Sequence, residues 1–440
     1  MHATAEADSN EAYMILRDPV HGLVEFESEE VDIVVRLLAT REVQRLRRIR
    51  QLGLTSLAFP GAEHTRFSHA LGAAHVMVRF LARLRQIDGD LPFWQRVTSE
   101  RGRDAVAAAL LHDLGHGPLS HLFEEAMPGS VEHESWTTRI LLDPSSEVHQ
   151  VLAADDPALP TRVSELVEGR HELPYLAHAV SGIFDVDRCD YLLRDAHFTG
   201  VTYGSYDLSW LLRSLRFERV DGTTPPGLAI DGMKGITAIE SFLLARLFMF
   251  QQVYFHKSTR AAEAMIGCIL RRAVQLVAQG HRLPVRLAAL ESAAAGELPS
   301  LHDYLELDDH TLLGALHAWE QADDPVLADL SRRLRARKLF KTIELEGVEV
   351  DASAERALEV GRAASVARGL DPDAYVVLDR ASDVPYPAHA ALRVIFPDGR
   401  ERDLSEVSFL LGRLRGQVLT RTRLLFAPEL REAIGAELGS

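Results

Sequence analysis

Cysteine is nearly absent from this sequence, which contains two in 440 residues, Cys189 and Cys268. Two thiols form at most one bridge, which excludes a disulfide-stapled scaffold and favours reduced thiols in the cytosol. The sequence also lacks a run of about 18 apolar residues, so we expect no membrane span. Residues 1–12 are polar and carry no apolar signal segment. We therefore expect a cytoplasmic protein without membrane contact, preceded by a disordered lead over residues 1–12.

A surplus of basic residues is missing as well. The sequence has 64 Asp and Glu against 48 Lys and Arg, which gives a net charge of −16. This balance argues against a broad basic face for duplex nucleic acid, although a small basic pocket fits within an acidic body. We do not expect nucleic acid as the main ligand. The length leaves room for two or three domains and a sizeable core.

Hydrophobic spacing predicts a mainly α fold. A partly alternating stretch over 14–26 predicts a short hairpin, and helical spacing over 29–38, 42–52 and 237–275 predicts helices, with Thr40 as a cap. From about residue 338 the pattern changes to short strands around one helix, 354–367, for which Ser353 is the expected cap. The predicted divisions are the lead 1–12, a helical core 13–280, a helical extension 281–337 and a small α+β part 338–440.

One stretch organises the chain chemically. An apolar helix from Ala105 ends in His112 and Asp113, followed by a Gly-Pro turn that holds His116 and precedes His121. Neutral imidazole and carboxylate together suit a divalent transition metal. A lone His-Asp pair is weak evidence, because a chain of this length contains one by chance.

Further potential ligands lie on two other predicted helices, His69 and Asp187. Two imidazoles and two carboxylates can hold one ion and leave positions open, as a catalytic site requires. Mixed nitrogen and oxygen ligands suit Fe, Mn, Zn, Ni or Co better than a pure Mg site. We therefore predict one divalent transition metal per subunit at His69, His112, Asp113 and Asp187, with an additional Mg²⁺ carried by a nucleotide as a further candidate.

The order and spacing of these motifs resemble the HD phosphohydrolase superfamily. Gln51-Leu52, Phe-Pro-Gly-Ala, His-x-Arg-Phe-x-His, His-Asp-Leu-Gly-His-Gly-Pro, Asp-Val-Asp-x-x-Asp-Tyr, Arg-Asp-x-His and Tyr-x-His-Lys follow one another in the chain. Within the superfamily they look like the deoxynucleoside triphosphate triphosphohydrolase branch. The resemblance implies an HD-domain helical core, and hydrolysis of deoxynucleoside triphosphates (dNTPs) at the α-phosphate to a deoxynucleoside and inorganic triphosphate.

The resemblance also assigns roles to residues. It implies that His116, His121 and His133 supply the imidazoles that act as general acid and contact the phosphates, with Glu124 orienting one of them. We favour His121 or His116 as the general acid. Leu52 would touch the base without reading it, and Tyr254 would exclude a 2′-hydroxyl. The expected substrate-binding residues are basic side chains that hold the triphosphate (Arg66, Arg188, Arg246 and Lys257), residues that contact the sugar (Gln51, Tyr191, Asp195 and Tyr254) and the base contact Leu52.

The resemblance further implies a homo-oligomer, dimer or tetramer, and a nucleotide activator bound between subunits. Gln44 and Arg47 match the activator site of the vertebrate members, but Ala39 and Arg17 replace its guanine-reading Asp and a neighbouring Asn. The segment from Arg337 to Lys341 resembles one that contacts a second activator's phosphates. Activation by GTP is therefore left open.

Two other functions compete with dNTP hydrolysis. An HD phosphohydrolase can act on another nucleotide or on a nucleic-acid end, and a related scaffold can be a non-catalytic nucleotide-binding sensor. The intact set of four ligands argues against the sensor, because a retired site need not keep them all.

Overall fold

The computed structural model describes residues 14–26, 31–120, 123–124, 127, 131–218, 225–345, 350–388 and 392–438. The predicted lead over 1–12 lies outside these residues. The fold is mainly α with small sheets, which confirms the predicted class.

Twelve helices within the described residues build the part of the fold that precedes residue 280. Their bounds are α1 Asp32–Leu38, α2 Arg41–Arg45, α3 Arg66–Ile87, α4 Ser99–Leu111, α5 His133–Leu142, α6 Glu147–Asp155, α7 Leu159–Val167, α8 Pro174–Val180, α9 Val186–Thr199, α10 Leu208–Arg213, α11 Ile236–Met249 and α12 Lys257–Ala278.

Nine shorter or peripheral helices follow in the described residues. Their bounds are α13 Ala288–Ala294, α14 Leu301–Leu305, α15 Asp309–Trp319, α16 Pro325–Arg335, α17 Val350–Ala367, α18 Pro372–Tyr375, α19 Leu404–Val407, α20 Phe409–Leu414 and α21 Arg431–Leu438.

The strands form three small sheets. Their bounds are β1 Met14–Asp18, β2 Gly22–Phe26, β3 Leu215–Phe217, β4 Leu228–Asp231, β5 Lys341–Leu345, β6 Val376–Asp383, β7 Arg393–Ile395, β8 Glu401–Asp403 and β9 Leu419–Phe426. The hairpin β1–β2 is antiparallel, as is the sheet ordered β5–β9–β6, and the third sheet is ordered β3–β4–β7–β8 with a parallel β4–β7 pair. The β4–β7 pair crosses the predicted domain boundaries at 280 and 337, which themselves stay predictions.

The centre of the fold is the packing of α3 against α4 and α9. Thr65 caps α3, accepting a hydrogen bond from the Ser68 N–H, and Asp185 caps α9 in the same way through the Arg188 N–H. The three helices approach closely because α3 and α4 carry small buried residues: Ala70, Gly72, Ala73, Ala74, Ala105, Ala107, Ala108 and Ala109. This packing brings the first turn of α3, the end of α4 and the beginning of α9 together.

Helices α3 and α9 approach each other closely at Gly72. A Cβ atom at this position would overlap the carboxylate of Asp190 and the guanidinium of Arg194, both of which are fully buried. A glycine in the middle of a 22-residue helix costs helix stability, and the close approach of α9 explains why one stands here.

We expect Gly72→Ala to destabilise the protein by about 1–3 kcal/mol, because the buried ion pair must shift to make room. The midpoint of urea denaturation followed by circular dichroism measures the change. Gly314→Ala is the matched control, since Gly314 is on the exposed face of α15 and nothing lies within 4 Å of an added Cβ. There the substitution should stabilise by about 0.5–1 kcal/mol. Equal shifts in the two variants would contradict the steric explanation.

The long helix predicted over 237–275 is interrupted. Helix α11 ends at Met249, a π-helical turn covers Phe250–Tyr254, and α12 begins at Lys257. Such turns insert an extra residue into a helical turn and occur often at functional sites. The hydrophobic pattern does not reveal the interruption, because apolar residues continue through it.

Two local predictions were wrong. The helix expected over 42–52 stops at Arg45 and continues as a 3₁₀ turn over Leu46–Arg48, because the chain then turns to pair Arg50 with Thr65. Ser353 does not cap a helix, since α17 already begins at Val350. Thr40 does stand at the N-cap of α2, but its hydroxyl donates to the carbonyl of Leu37 instead of capping.

One helical segment of the described chain, Ile236–Tyr254, is long and apolar enough to cross a membrane by length and composition alone. It packs against α9, α10 and β4, and its Arg246 donates a 2.9 Å hydrogen bond to Asp383. These contacts are those of a core helix, and the expected absence of a membrane span stays a prediction.

Candidate metal centre and its cavity

The four predicted metal ligands converge on one point. The Nε2 atoms of His69 and His112 are 3.3 Å apart, and Asp187 Oδ1 lies 3.0 Å from the first and 3.4 Å from the second. The Asp113 carboxylate lies 3.6 Å from His69 Nε2 and 3.4 Å from His112 Nε2. Donor atoms bound about 2.0–2.2 Å from one ion would themselves be about 2.8–3.6 Å apart. The spacing therefore fits a single transition-metal ion.

The hydrogen bonds of both imidazoles also suit a metal. His69 Nδ1 lies 2.8 Å from Asp190 Oδ2, and His112 Nδ1 lies 2.9 Å from the carbonyl oxygen of Ala109. A neutral imidazole that donates through Nδ1 keeps a lone pair on Nε2, the atom that faces the other ligands. The donor set thus offers two imidazole nitrogens and two carboxylates, as the sequence predicted.

A buried charge network lies behind His69. Asp190 accepts hydrogen bonds from His69, from both Nε and Nη2 of Arg194 at 2.8 Å, and from His21 Nε2 at 2.6 Å. Arg194 also donates to Asp18 at 2.7 Å. Asp18 and His21 belong to the hairpin β1–β2 and its turn, so the hairpin is bonded to the residue that orients a metal ligand.

Burial and charge act oppositely on the ligands. Burial alone would lower the pKa of His69, but its hydrogen bonds to Asp187 and Asp190 raise that pKa to about 10. Burial would raise the pKa of Asp113, but the Arg66 guanidinium and the imidazoles of His112 and His116 hold it well below its ordinary value. The centre is a concentration of negative charge that holds protons on imidazole, which a metal ion would displace.

A second cluster adjoins the first and shares Asp113. His116 Nε2 lies 3.3 Å from Asp113 Oδ1, and the rings of His116 and His133 stack with centroids 3.7 Å apart. The Glu124 carboxylate lies 3.5 Å from Nδ1 of each of these histidines. Burial and the Arg66 charge lower the pKa of His116 to about 3, so this imidazole is neutral at pH 7. His121, the other favoured acid, lies outside the described residues.

The turn after Asp113 is held in an unusual conformation. Leu119 and Ser120 have left-handed backbones, with φ of 57° and 61°, which L-residues adopt at a cost. The Ser120 hydroxyl accepts from Arg66 Nη2 at 2.7 Å, and the Leu119 N–H donates to Asp309 at 2.8 Å. Arg66 also donates to Asp113, so the strained turn fixes the guanidinium beside the ligands.

A cavity of about 450 Å³ opens beside the ligands. It brings together most of the predicted residues; those in its wall are Gln51, Leu52, Arg66, Asp113, His116, His133, Asp187, Tyr191, Asp195 and Tyr254. The Tyr254 hydroxyl donates to Asp195 Oδ2 at 2.8 Å, while His64 Nε2 lies 2.8 Å from Asp195 Oδ1. Gln51 Oε1 is buried and has no hydrogen-bond partner within the described part of the chain.

Three basic residues predicted to bind the triphosphate, Arg188, Arg246 and Lys257, do not lie in this wall. Arg188 donates to Asp185 and to the carbonyl of Gly182, and Arg246 donates to Asp383 and to the carbonyl of Pro385. Lys257 is exposed. Arg188 and Arg246 are thus engaged with protein partners outside this wall, and their assignment as triphosphate contacts stays a prediction.

Sequence reasoning missed several residues of the site. Asp190, His21 and Arg194 had no assigned role, although Asp190 stands three residues after Asp187 in the helix. The cavity wall also includes Phe255, which follows the π-helical turn, and three residues from the first turns of α12 to which no role was assigned: Thr259, Arg260 and Glu263. Their i, i+3 and i, i+4 spacing on a helix that follows Tyr254 was the available signal.

Family models describe two parts of the chain. Residues 66–195 match the HD domain, and residues 207–436, more than half of the sequence, match the HD associated region. The chain belongs to the HD-domain family of dNTPase-like proteins. The first match ends at Asp195 and includes all four ligands of the metal centre.

Relatives of this HD-domain protein differ in how much of it they share. YwfO, an uncharacterized protein of Bacillus subtilis, is 35% identical over 94% of this chain and 92% of its own length. The deoxynucleoside triphosphate triphosphohydrolase SAMHD1 of Bos taurus is 27% identical over 75% of this chain, which spans 58% of that relative. A solved phosphohydrolase from Bacteroides thetaiotaomicron superposes with a TM-score of 0.79 at 28% identity, covering 94% of this chain and 99% of the other.

Proposed function

We propose that this HD-domain protein hydrolyses dNTPs to a deoxynucleoside and inorganic triphosphate. The observation that carries the proposal is that Asp113 and Asp187 of the metal centre and the imidazoles of His116 and His133 face one cavity with Gln51, Tyr191, Asp195 and Tyr254. Bound between His69, His112, Asp113 and Asp187, a divalent transition metal (Fe, Mn, Zn, Ni or Co) would polarise the α-phosphate and lower the pKa of an attacking water.

The second cluster suits the leaving group. Hydrolysis at the α-phosphate leaves the sugar 5′-oxygen in need of a proton, and His116 and His133 are stacked at the edge of the metal centre. His116 is neutral in the free cavity, and the negative charge of a triphosphate raises its affinity for a proton. Glu124 lies 3.5 Å from Nδ1 of both rings and would orient one of them.

The nucleoside side of the cavity is consistent with a deoxyribose. Burial and the Asp195 carboxylate raise the pKa of Tyr254 well above its ordinary value, so its hydroxyl stays protonated and bonded to Asp195. Asp195 retains lone pairs for a sugar 3′-hydroxyl. Tyr191 and Tyr254, with ring centroids 6.3 Å apart, give the sugar an apolar surface that disfavours a 2′-hydroxyl.

Reaction products test the proposal. We expect a panel of dNTPs with Mn²⁺ to yield deoxynucleosides and inorganic triphosphate, resolved by anion-exchange chromatography, and the matching ribonucleotides to react at least about tenfold more slowly, because a 2′-hydroxyl leaves Tyr254 unfavourably placed. Release of pyrophosphate or monophosphate would instead support another phosphohydrolase reaction. Nucleotide binding by metal-loaded protein without any turnover would support a sensor.

The remaining expectations are part of the same proposal. We infer that the protein acts in the cytoplasm as a homo-oligomer on dNTPs, with Mg²⁺ accompanying the nucleotide and a nucleotide activator as a further partner. Gln44 and Arg47, expected at an activator site, contact each other at 2.9 Å, and the Arg47 guanidinium stacks on Phe67. The net charge of −16 supports a small-molecule substrate over nucleic acid.

A further inference from the structure

Two residues from much later in the chain hold the turn that follows the metal ligand Asp113. The Tyr304 hydroxyl of α14 donates to the carbonyl of Gly115 at 2.6 Å, and the Asp309 carboxylate of α15 accepts from the Leu119 N–H at 2.8 Å. These two side chains are 2% and 1% exposed and lie outside the cavity wall. The turn is therefore held from behind, on the side away from a substrate.

Asp309 also joins this turn to a second segment of the cavity wall. Its Oδ2 accepts from the backbone N–H of Arg50 at 3.0 Å, while its Oδ1 accepts from Leu119. The Arg50 carbonyl in turn accepts a 3.4 Å hydrogen bond from the Ser120 hydroxyl. Gln51, the next residue, lines the cavity together with Leu119 and Ser120. One buried carboxylate thus links two segments that face the substrate.

The Ser120 hydroxyl connects this arrangement to the metal centre. It accepts from Arg66 Nε at 3.2 Å and from Arg66 Nη2 at 2.7 Å, and Arg66 Nη1 donates to Asp113. Because the hydroxyl donates its one hydrogen to the Arg50 carbonyl, its lone pairs are left for the guanidinium. The position of Ser120 therefore determines where the Arg66 guanidinium lies beside Asp113.

The backbone of this turn depends on outside support. Leu119 and Ser120 are consecutive left-handed residues, with φ of 57° and 61°, a conformation that persists only where the surroundings over-determine it. Burial raises the pKa of Asp309, whereas the N–H groups of Arg50 and Leu119 stabilise its charged form. A hydrogen bond to a carboxylate is stronger than one to a neutral acceptor, so Asp309 is suited to offset the strain.

We propose that Asp309 is a positioning residue for the hydrolysis, which acts on the reaction through Ser120 and Arg66. This inference rests on the proposed dNTP hydrolysis, in which Arg66 contacts the triphosphate. Asp309 is not part of the cavity wall. Its effect on the reaction therefore passes through the backbone groups that it holds in place.

Asp309→Asn is the first test. The amide turns an N–H group towards one of the two backbone donors, so one of the two hydrogen bonds is lost. We expect kcat/KM for dNTPs to fall about 10- to 100-fold, as for a displacement of about 1 Å in a positioned group. Metal content should stay unchanged, because all four ligands are intact. Asp309→Ser, which is smaller and buries no charge, gives the same comparison if Asp309→Asn does not fold.

Asp308→Asn is the matched control. It removes the same charge from the neighbouring residue and breaks the 2.5 Å hydrogen bond from Arg48 Nε. Asparagine keeps the N-cap of α15, which Asp308 now provides. This variant should leave kcat/KM unchanged, and an equal fall in both variants would contradict a specific role for Asp309.

A double-mutant cycle with Ser120→Ala distinguishes positioning from general destabilisation. Ser120→Ala removes the acceptor for Arg66, and we expect kcat/KM to fall by about tenfold or more. If Asp309 acts through this hydroxyl, the double variant should fall no more than about threefold below the less active single variant, since coupled residues are non-additive. Two falls that multiply would show that Asp309 acts independently of Ser120, through its charge or through the fold, and would overturn the proposal.

A spectroscopic measurement requires no substrate. Solvent exchange of the Arg66 Nε–H can be followed by nuclear magnetic resonance in protein labelled with ¹⁵N-arginine, where the signal is identified by its loss in Arg66→Lys. We expect this exchange to quicken by about tenfold or more in Asp309→Asn, because the Ser120 acceptor is no longer held in place. In Asp308→Asn the exchange should stay at the wild-type rate.

This measurement separates the positioning role from the proposed reaction. Faster exchange in Asp309→Asn, with no dNTP hydrolysis by metal-loaded wild type, would overturn the reaction and leave Asp309 as the residue that fixes Arg66. Unchanged exchange in a folded Asp309→Asn variant would overturn the positioning role and leave dNTP hydrolysis standing.

Discussion

His112→Ala is expected to remove bound metal and catalysis together. The substitution deletes one of the two Nε2 atoms, 3.3 Å apart, around which the carboxylates of Asp113 and Asp187 gather. We expect metal content by elemental analysis to fall from about one ion per chain to near zero, as for a site that loses one of few protein ligands. Activity on dNTPs should fall by about 10³-fold or more, since a catalytic metal supplies several kcal/mol.

Controls distinguish loss of a ligand from loss of the fold. His310→Ala removes an exposed histidine on α15 and should retain both metal and activity. Asp113→Ala should behave as His112→Ala does. A folded His112→Ala protein with wild-type metal content would refute the assignment of this centre.

Asp190→Asn is expected to weaken metal binding without removing a ligand. Asp190 accepts from His69 Nδ1 and so holds the imidazole with Nε2 towards the other ligands. Loss of such a supporting carboxylate costs about 10- to 100-fold in metal affinity. The free energy of unfolding should fall as well, by up to about 3 kcal/mol. Arg194 pairs with the carboxylates of Asp18 and Asp190, and the variant leaves this buried guanidinium with Asp18 alone.

The metal dissociation constant separates positioning from general destabilisation. Asp324→Asn breaks the Arg272 ion pair away from the cavity and should leave metal affinity unchanged. For Asp190→Asn at saturating metal, we expect KM for the dNTP to change less than about twofold, since Asp190 lies behind His69 and the substrate contacts are intact. An unchanged metal dissociation constant would show that Asp190 has only a structural role.

Local patterns were sufficient for much of the fold. The alternating stretch over 14–26 predicted the hairpin, and the change to short strands from about residue 338 predicted the strands β5 to β9 of the C-terminal part. The predictions failed where tertiary contacts override local preference. The chain leaves the helical conformation after Arg45 to pair Arg50 with Thr65, and the apolar run of α11 conceals a π-helical turn.

The convergence of His69, His112, Asp113 and Asp187 could be predicted because residue type and spacing suffice for it; their role as metal ligands stays a prediction. Two imidazoles and two carboxylates in a familiar order identify a centre before their distances are known. The supporting residues could not be predicted in the same way. Asp190 meets His21 across 169 residues, and Arg188 pairs with Asp185 instead of facing the cavity, because these partners are chosen by helix packing.

The π-helical turn at Phe250–Tyr254 determines which side of α12 faces the cavity, because it sets the rotation of α12 about its axis relative to α11. A residue removed from this turn would rotate α12 by about 100° about its axis relative to α11. Arg260 would then turn away from its hydrogen-bond partner Asp379 in β6, and Glu263 would turn away from the cavity. The contact between α12 and the C-terminal sheet and the position of Tyr254 in the cavity therefore depend on one irregular turn, which tolerates substitution but not a change of length.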